Sequence, residues 1–180
     1  MSPVPSDVTK LTPLPNPRRV VTANNPETGI GELLFDDTPQ TQASALLQCN
    51  DPELMLLALP ITLRDLVAAY REDAGPKSLE GLIVPNGSNL RVTDLGPRQK
   101  TPMHRTTSVD YNIIISGHAV HVLEDGSEQQ VGPGDVVVQR GTNHRWENRT
   151  DEWVRWISVL IYANPIVLNG KELEPLMESE

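Results

Sequence analysis

Downstream of residue 88, apolar and polar positions alternate in short runs at 89–95, 109–116, 119–124, 135–140, 144–148 and 154–162. The runs are rich in Val, Ile, Thr and Trp and are separated by Gly-Pro, Ser-Gly, Asp-Gly, Gly-Pro-Gly and Arg-Gly-Thr turns. Successive side chains of a strand point to opposite faces, so these segments predict six short strands in an antiparallel sandwich or barrel. Upstream, 18–22 and 30–35 flank the turn-rich stretch Ala23-Asn24-Asn25-Pro26-Glu27-Thr28-Gly29 and predict a hairpin or a looser β-connection.

A helical pattern is confined to 51–75. Asp51-Pro52 offers an N-cap and a first-turn proline ahead of Glu53-Leu54-Met55-Leu56-Leu57. Thr62 and Asp65 resemble a capping box, and Leu63, Leu66, Val67 and Tyr70 follow at i, i+3, i+4 and i+7 before Gly75. One or two short helices are therefore expected there, with their apolar stripe on the core. Residues 1–17 carry five prolines and read as an extended arm, 18–164 as one domain with its motif region at 89–162, and 165–180 as a short edge element with an acidic tail.

Composition narrows the class of function. The 180 residues fit one domain, and a net charge of −9 with a pI near 4.9 opposes contact with nucleic acid. Apolar runs fall well short of the roughly 20 residues a membrane-spanning helix needs, so no membrane partner is expected. Met1–Lys10 lacks the apolar stretch of a secretory signal, and Cys49 is the single cysteine, which together point to a cytoplasmic protein.

The four histidines, His104, His118, His121 and His144, all lie in the strand-rich half. His144, Trp146 and Asn148 share one strand face, and the opposite residues Arg145, Glu147 and Arg149 are all charged, so the His144 face is expected to point inward. His104 and Thr106 share a face, as do Asp110, Asn112 and Ile114. An interior holding His, Asp, Asn and Trp is a pocket candidate, because burying such groups away from a site is costly. His118 and His121 fall on opposite faces, so at most one enters the pocket. Trp146 either stacks on a flat substrate or fills the core. Arg91 either clamps a carboxylate or enolate oxygen or pairs with Asp94.

The stretch from Gly96-Pro97 to Gly117, containing His104, Thr106 and Asp110, resembles the first motif of the cupin superfamily, in which a Gly precedes a His, a ligand at +2, an acidic ligand and a closing Gly. Gly134-Asp135-Val136-Val137-Val138-Gln139-Arg140-Gly141-Thr142-Asn143-His144 resembles the second, with the hairpin Glu124-Asp125-Gly126 between the two. The resemblance implies an all-β fold, the double-stranded β-helix or jelly-roll barrel, in a small stand-alone cupin with one or two short helices before the motifs. It implies His104, Asp110 and His144 as ligands of a divalent iron, manganese or zinc ion, and a homodimer. Thr106 stands where the family has its second His, Asp110 where it usually has Glu, and Gln139 where it has Pro.

Three functions follow as expectations. The leading one is a small-molecule enzyme performing non-oxidative proton transfer (dehydration, decarboxylation, isomerisation or cyclisation) on an oxygenated aromatic or polyketide-like substrate. His104, Asp110 and His144 would be catalytic, and Arg91, Thr106, Asn112 and Trp146 would bind substrate. The others are a metal-dependent dioxygenase and a non-catalytic binding barrel.

Overall fold

The computed structural model describes residues 12–38, 42–43, 54–62 and 82–177, and every regular element among them is a strand. Strands β1 (Arg19–Asn24) and β2 (Gly31–Asp37) form a separate hairpin whose loop is tied by Asn25. The main body is two antiparallel sheets. One has six strands in the order β10-β7-β12-β5-β4-β3, from β3 (Gln42–Ala43), β4 (Leu54–Thr62), β5 (Gly87–Leu95), β7 (Ser108–Ser116), β10 (Val136–Arg140) and β12 (Val154–Tyr162). The other has five in the order β15-β6-β11-β8-β9, from β6 (His104–Arg105), β8 (Ala119–Leu123), β9 (Glu128–Val131), β11 (His144–Glu147) and β15 (Leu176–Met177). A small ribbon, β13 (Val167–Leu168) with β14 (Lys171–Glu172), precedes β15. The result is an all-β sandwich of two antiparallel sheets.

Two corrections to the expectations arise here. The helix expected from Asp51-Pro52 is replaced by β4, which pairs with β5 at nine positions from Leu54↔Leu95 to Thr62↔Gly87. The run Leu54-Met55-Leu56-Leu57-Ala58-Leu59 is apolar at every position, and periodicity cannot separate a strand from a helix in such a run. A helix of two turns is marginal alone, whereas the edge of β5 satisfies a whole strand's backbone groups. Thr62, assigned to the start of a second helix, closes β4, and the rest of that expected helix falls on residues 63–81, outside the described residues.

Alternation sets the interior. On β12, Val154, Trp156, Ser158 and Leu160 are buried while the residues between them are half-buried. Because β12 lies between β5 and β7, each inward residue heads a transverse row: Thr93, Trp156 and Ile114; Arg91, Ser158 and Asn112; Asn89, Leu160 and Asp110. The apolar core occupies one end of the space between the sheets, where Leu95, Ile114, Val154 and Trp156 meet Ala119 and Trp146. The other end is lined by polar groups.

Asn148, expected on the inward face, is buried but serves the loops. Its Nδ2 donates to the carbonyls of Leu95, Gly96 and Glu152, and its Oδ1 accepts from the N–H and hydroxyl of Thr150. Asp94 pairs with Arg155 through two contacts of 2.6 Å, and Arg155 also donates to the carbonyl of Pro15. The segment 176–177 is drawn back to the barrel by pairing Leu176 with Arg105 and Met177 with His104.

Candidate functional site

At the polar end, the two sheets enclose a cavity of about 50 Å3 whose walls include Arg91, His104, Thr106, Asp110, Asn112 and His144. Strand pairing positions the imidazoles. His104 and His144 are direct partners across β6 and β11, with ring centroids 4.2 Å apart. Each ring points its Nδ1 at the carbonyl two residues earlier: Pro102 at 2.9 Å for His104, Thr142 at 3.1 Å for His144. A carbonyl only accepts, so Nδ1 carries the hydrogen in both rings and each Nε2 is left with its lone pair.

A third imidazole joins them. His121, opposite Trp146 in the β8–β11 ladder, is buried and stacks with His144 at 5.3 Å and against Trp146 at 4.7 Å. His118, by contrast, is exposed and lies against Gly132. His118 stands just before β8, and the histidine inside is His121.

His121 is connected to Asp110 through Gln139. The Gln139 amide nitrogen donates to Asp110 Oδ2 at 3.1 Å, which leaves its carbonyl oxygen to accept from His121 Nε2 at 3.1 Å. Gln139 and Asp110 are partners across β10 and β7, so the register delivers this contact. The other carboxylate oxygen, Oδ1, accepts from Ser108 Oγ at 2.5 Å, and Ser108 is also 2.9 Å from the Thr106 hydroxyl.

Burial shifts these groups in opposite senses. It pushes the Asp110 carboxyl up to about 6, against the hydrogen bonds from Ser108 and Thr106 that favour the anion. It holds all three imidazoles below the ordinary histidine range: His104 against the Pro102 carbonyl, His121 against Gln139, and His144 furthest, with the neighbouring charge of His104 adding to burial. At neutral pH the site therefore presents neutral imidazoles, with Nε2 lone pairs on His104 and His144, beside a carboxyl group poised to exchange a proton.

The remaining candidates divide. Arg91 lies within the cavity wall, 2 % exposed, and burial lowers its pKa to about 10. Asp94, the alternative partner considered for Arg91, is bound by Arg155. Asn112 is buried, accepts from Ser158 Oγ at 2.6 Å, and its Nδ2 makes no hydrogen bond. Trp146 stacks on Trp156 at 5.2 Å as part of the core while also forming one wall of the cavity. Sequence reading missed Gln139, Ser108 and Ser158, and left His121 undecided; the signal for His121 and Gln139 lies in cross-strand register, which pairs 121 with 146 and 139 with 110.

The donor set does not fit a resident divalent ion. Among the described residues, no three His, Cys, Asp or Glu side chains converge to hold one. Thr106 offers a hydroxyl in place of an imidazole, and both Asp110 oxygens are already engaged, one by Ser108 and one by Gln139.

In sequence, the family described as "Cupin domain" matches residues 91–160. That segment is similar to a cupin domain. Among its relatives, the Phomopsin biosynthesis cluster protein D of Diaporthe leptostromiformis is 44% identical over 94 residues, covering 52% of this chain and 50% of that protein. The cupin-domain-containing oxidoreductase fogC of Aspergillus ruber is 40% identical over 97 residues, covering 52% and 48%. The chain spans about half the length of these curated relatives. Among solved structures, an uncharacterized conserved protein with a double-stranded β-helix domain from Klebsiella pneumoniae aligns with a TM-score of 0.40 at 25% identity, covering 43% of this chain and 69% of that one. No helix among the described residues is long and apolar enough to cross a membrane.

Proposed function

We propose that the cupin domain is a small-molecule enzyme that moves protons without oxidising its substrate. The observation that carries this reading is the pairing of His104 and His144 at 4.2 Å, each with Nδ1 tied to the main chain and Nε2 left basic, in a cavity shared with Asp110. A neutral, buried imidazole takes a proton from a carbon next to a carbonyl, and the carboxyl of Asp110, held near 6, returns one. The Nδ2 of Asn112 and the guanidinium of Arg91 lie in the same wall and hold the oxygen on which negative charge develops. His121, through Gln139, fixes the orientation of Asp110.

A cavity of about 50 Å3 admits the reacting carbonyl group; an aromatic or polyketide-like body requires the walls to part. Relatives named for biosynthesis clusters favour such a metabolite as substrate.

Deuterium incorporation tests the reading without knowledge of the full reaction. In deuterated buffer, a panel of aromatic and polyketide-like β-keto compounds is expected to gain label next to the carbonyl at least ~100-fold faster with wild type than with His104→Ala or His144→Ala, a typical general-base contribution. Equal labelling by all three proteins would dispose of it. The relatives named oxidoreductases favour the second reading, an iron-dependent dioxygenase; stoichiometric iron and substrate-dependent oxygen uptake that a chelator abolishes would establish that instead.

The partner of the domain is a second copy. Tyr111, Val136 and Val138 are exposed on the outer face of β7 and the edge strand β10, and an apolar strand edge invites pairing. Light scattering is expected to give twice the 19.9 kDa chain mass, and a species of single mass would refute the dimer.

A further inference from the structure

Outside the barrel interior, a second cavity of about 200 Å3 opens between the start of β7, the end of β10 and the segment after β12. Its floor and sides are apolar, formed by Val109, Ala163, Ile166 and Leu173, and its charge comes from Arg105 and Arg140. Gly141 lies beneath Ile166, where an added Cβ would stand 3.2 Å from the Ile166 Cδ1. The volume matches about seven waters at roughly 30 Å3 each, enough for a small ring or a short branched chain.

The charges here are unusual for this protein. Arg18, Arg98, Arg145, Arg149 and Arg155 each hold a carboxylate at 2.6–2.8 Å. Arg140 has no carboxylate partner among the described residues. Arg105 reaches Glu124 only at 3.4 Å, and its buried Nε makes no hydrogen bond although its side chain is 15% exposed. A chain with net charge −9 thus leaves two under-neutralised guanidiniums at one apolar hollow. Guanidinium groups offer planar forks of donors that match a carboxylate.

We propose that this hollow is a second ligand site, for a small carboxylic acid with an apolar body. The acid's carboxylate lies between Arg105 and Arg140, and its body rests on Val109, Ile166 and Leu173. The site is independent of the barrel reading but abuts it: Thr106 belongs to the walls of both cavities, and Ser108, in the outer wall, bonds to Asp110. An acid bound here sits one pair of hydroxyls away from the buried carboxyl.

Benzoate tests this, followed by amide chemical shifts of the full chain. Saturable shifts are expected at Thr106, Gly141 and Asn164, with little response from neutral benzyl alcohol. Arg140 is exposed, so Arg140→Gln probes charge without disturbing packing, and at least ~10-fold weaker binding is expected from the lost charged hydrogen bonds. Arg105→Gln is expected to weaken benzoate likewise. The proposal is overturned by any of four results: no saturation, shifts centred on Asn112 and Trp146 within the barrel, equal binding of benzyl alcohol, or unchanged affinity in Arg140→Gln.

Discussion

Replacing Gly117 with alanine is expected to cost about 2–5 kcal/mol of folding stability, the sum of a left-handed backbone cost and forced repacking. Gly117 has φ of +72°, which residues with a Cβ adopt with strain. Space forbids the substitution independently: an added Cβ would stand 2.4 Å from the carbonyl oxygen of Trp153 and 2.8 Å from the Cα of Val154. Both obstacles are backbone atoms, so no side-chain rotation relieves them, and Val154 is fully buried at the start of β12. The damage would reach the site, because β12 supplies the row that aligns Ser158 with Arg91 and Asn112. Denaturant unfolding should show the loss as a lower midpoint with unchanged slope. Gly126→Ala provides the control: it shares a positive φ of 82° but has nothing within 4 Å of an added Cβ, so it should lose only the conformational part, about 1–2 kcal/mol. Equal losses in the two variants would show that the Trp153 contact is immaterial.

The same position shows which parts of the molecule the sequence discloses. The closing glycine of the first motif marks a turn in any reading, and the structure supplies its cause in the carbonyl of Trp153. Strands with clean alternation, such as 144–147 and 154–162, were legible because burial on one face imposes a period of two. Glu128–Val131 was not, since its polar residues carry no burial signal and it exists as a strand through its ladder with β8. The uniformly apolar start of β4 was misread for the opposite reason. Within the site, the inward placement of His104, Asp110 and His144 was legible. The links among the polar groups were not, because Gln139 joins Asp110 to His121 only once β10, β7 and β8 have been set beside one another. A glutamine standing where the family has a proline reads as a departure in sequence and as a bridge in three dimensions.

Asp110→Asn is expected to stabilise the protein at pH 8 by about 1–3 kcal/mol and to raise Tm by about 2–4 °C per kcal/mol. The carboxyl is 4 % exposed and titrates near 6 in the folded chain, against an ordinary value of 3.8. The folded protein therefore holds this proton more tightly than the unfolded chain does. Its favourable contribution is complete below about pH 4 and is lost as pH rises through about 6, leaving a buried charge that costs roughly 3 kcal/mol above neutrality. Asparagine keeps the shape: its oxygen accepts from Gln139, and its nitrogen donates to Ser108, whose hydroxyl is free to turn to Thr106. Low pH brings the reverse slope from His104, His121 and His144, whose depressed values make the folded state resist protonation below about 6.5. That slope is common to wild type and variant and cancels in their difference, so the advantage of asparagine should shrink below pH 6 and vanish near pH 4. A variant less stable than wild type at pH 8, or a difference independent of pH, would make Asp110 a structural anchor. A carboxyl retained at a cost to stability, in a cavity that also holds two neutral imidazoles, fits the proposed proton transfer; in the deuterium assay the more stable variant should be the slower one.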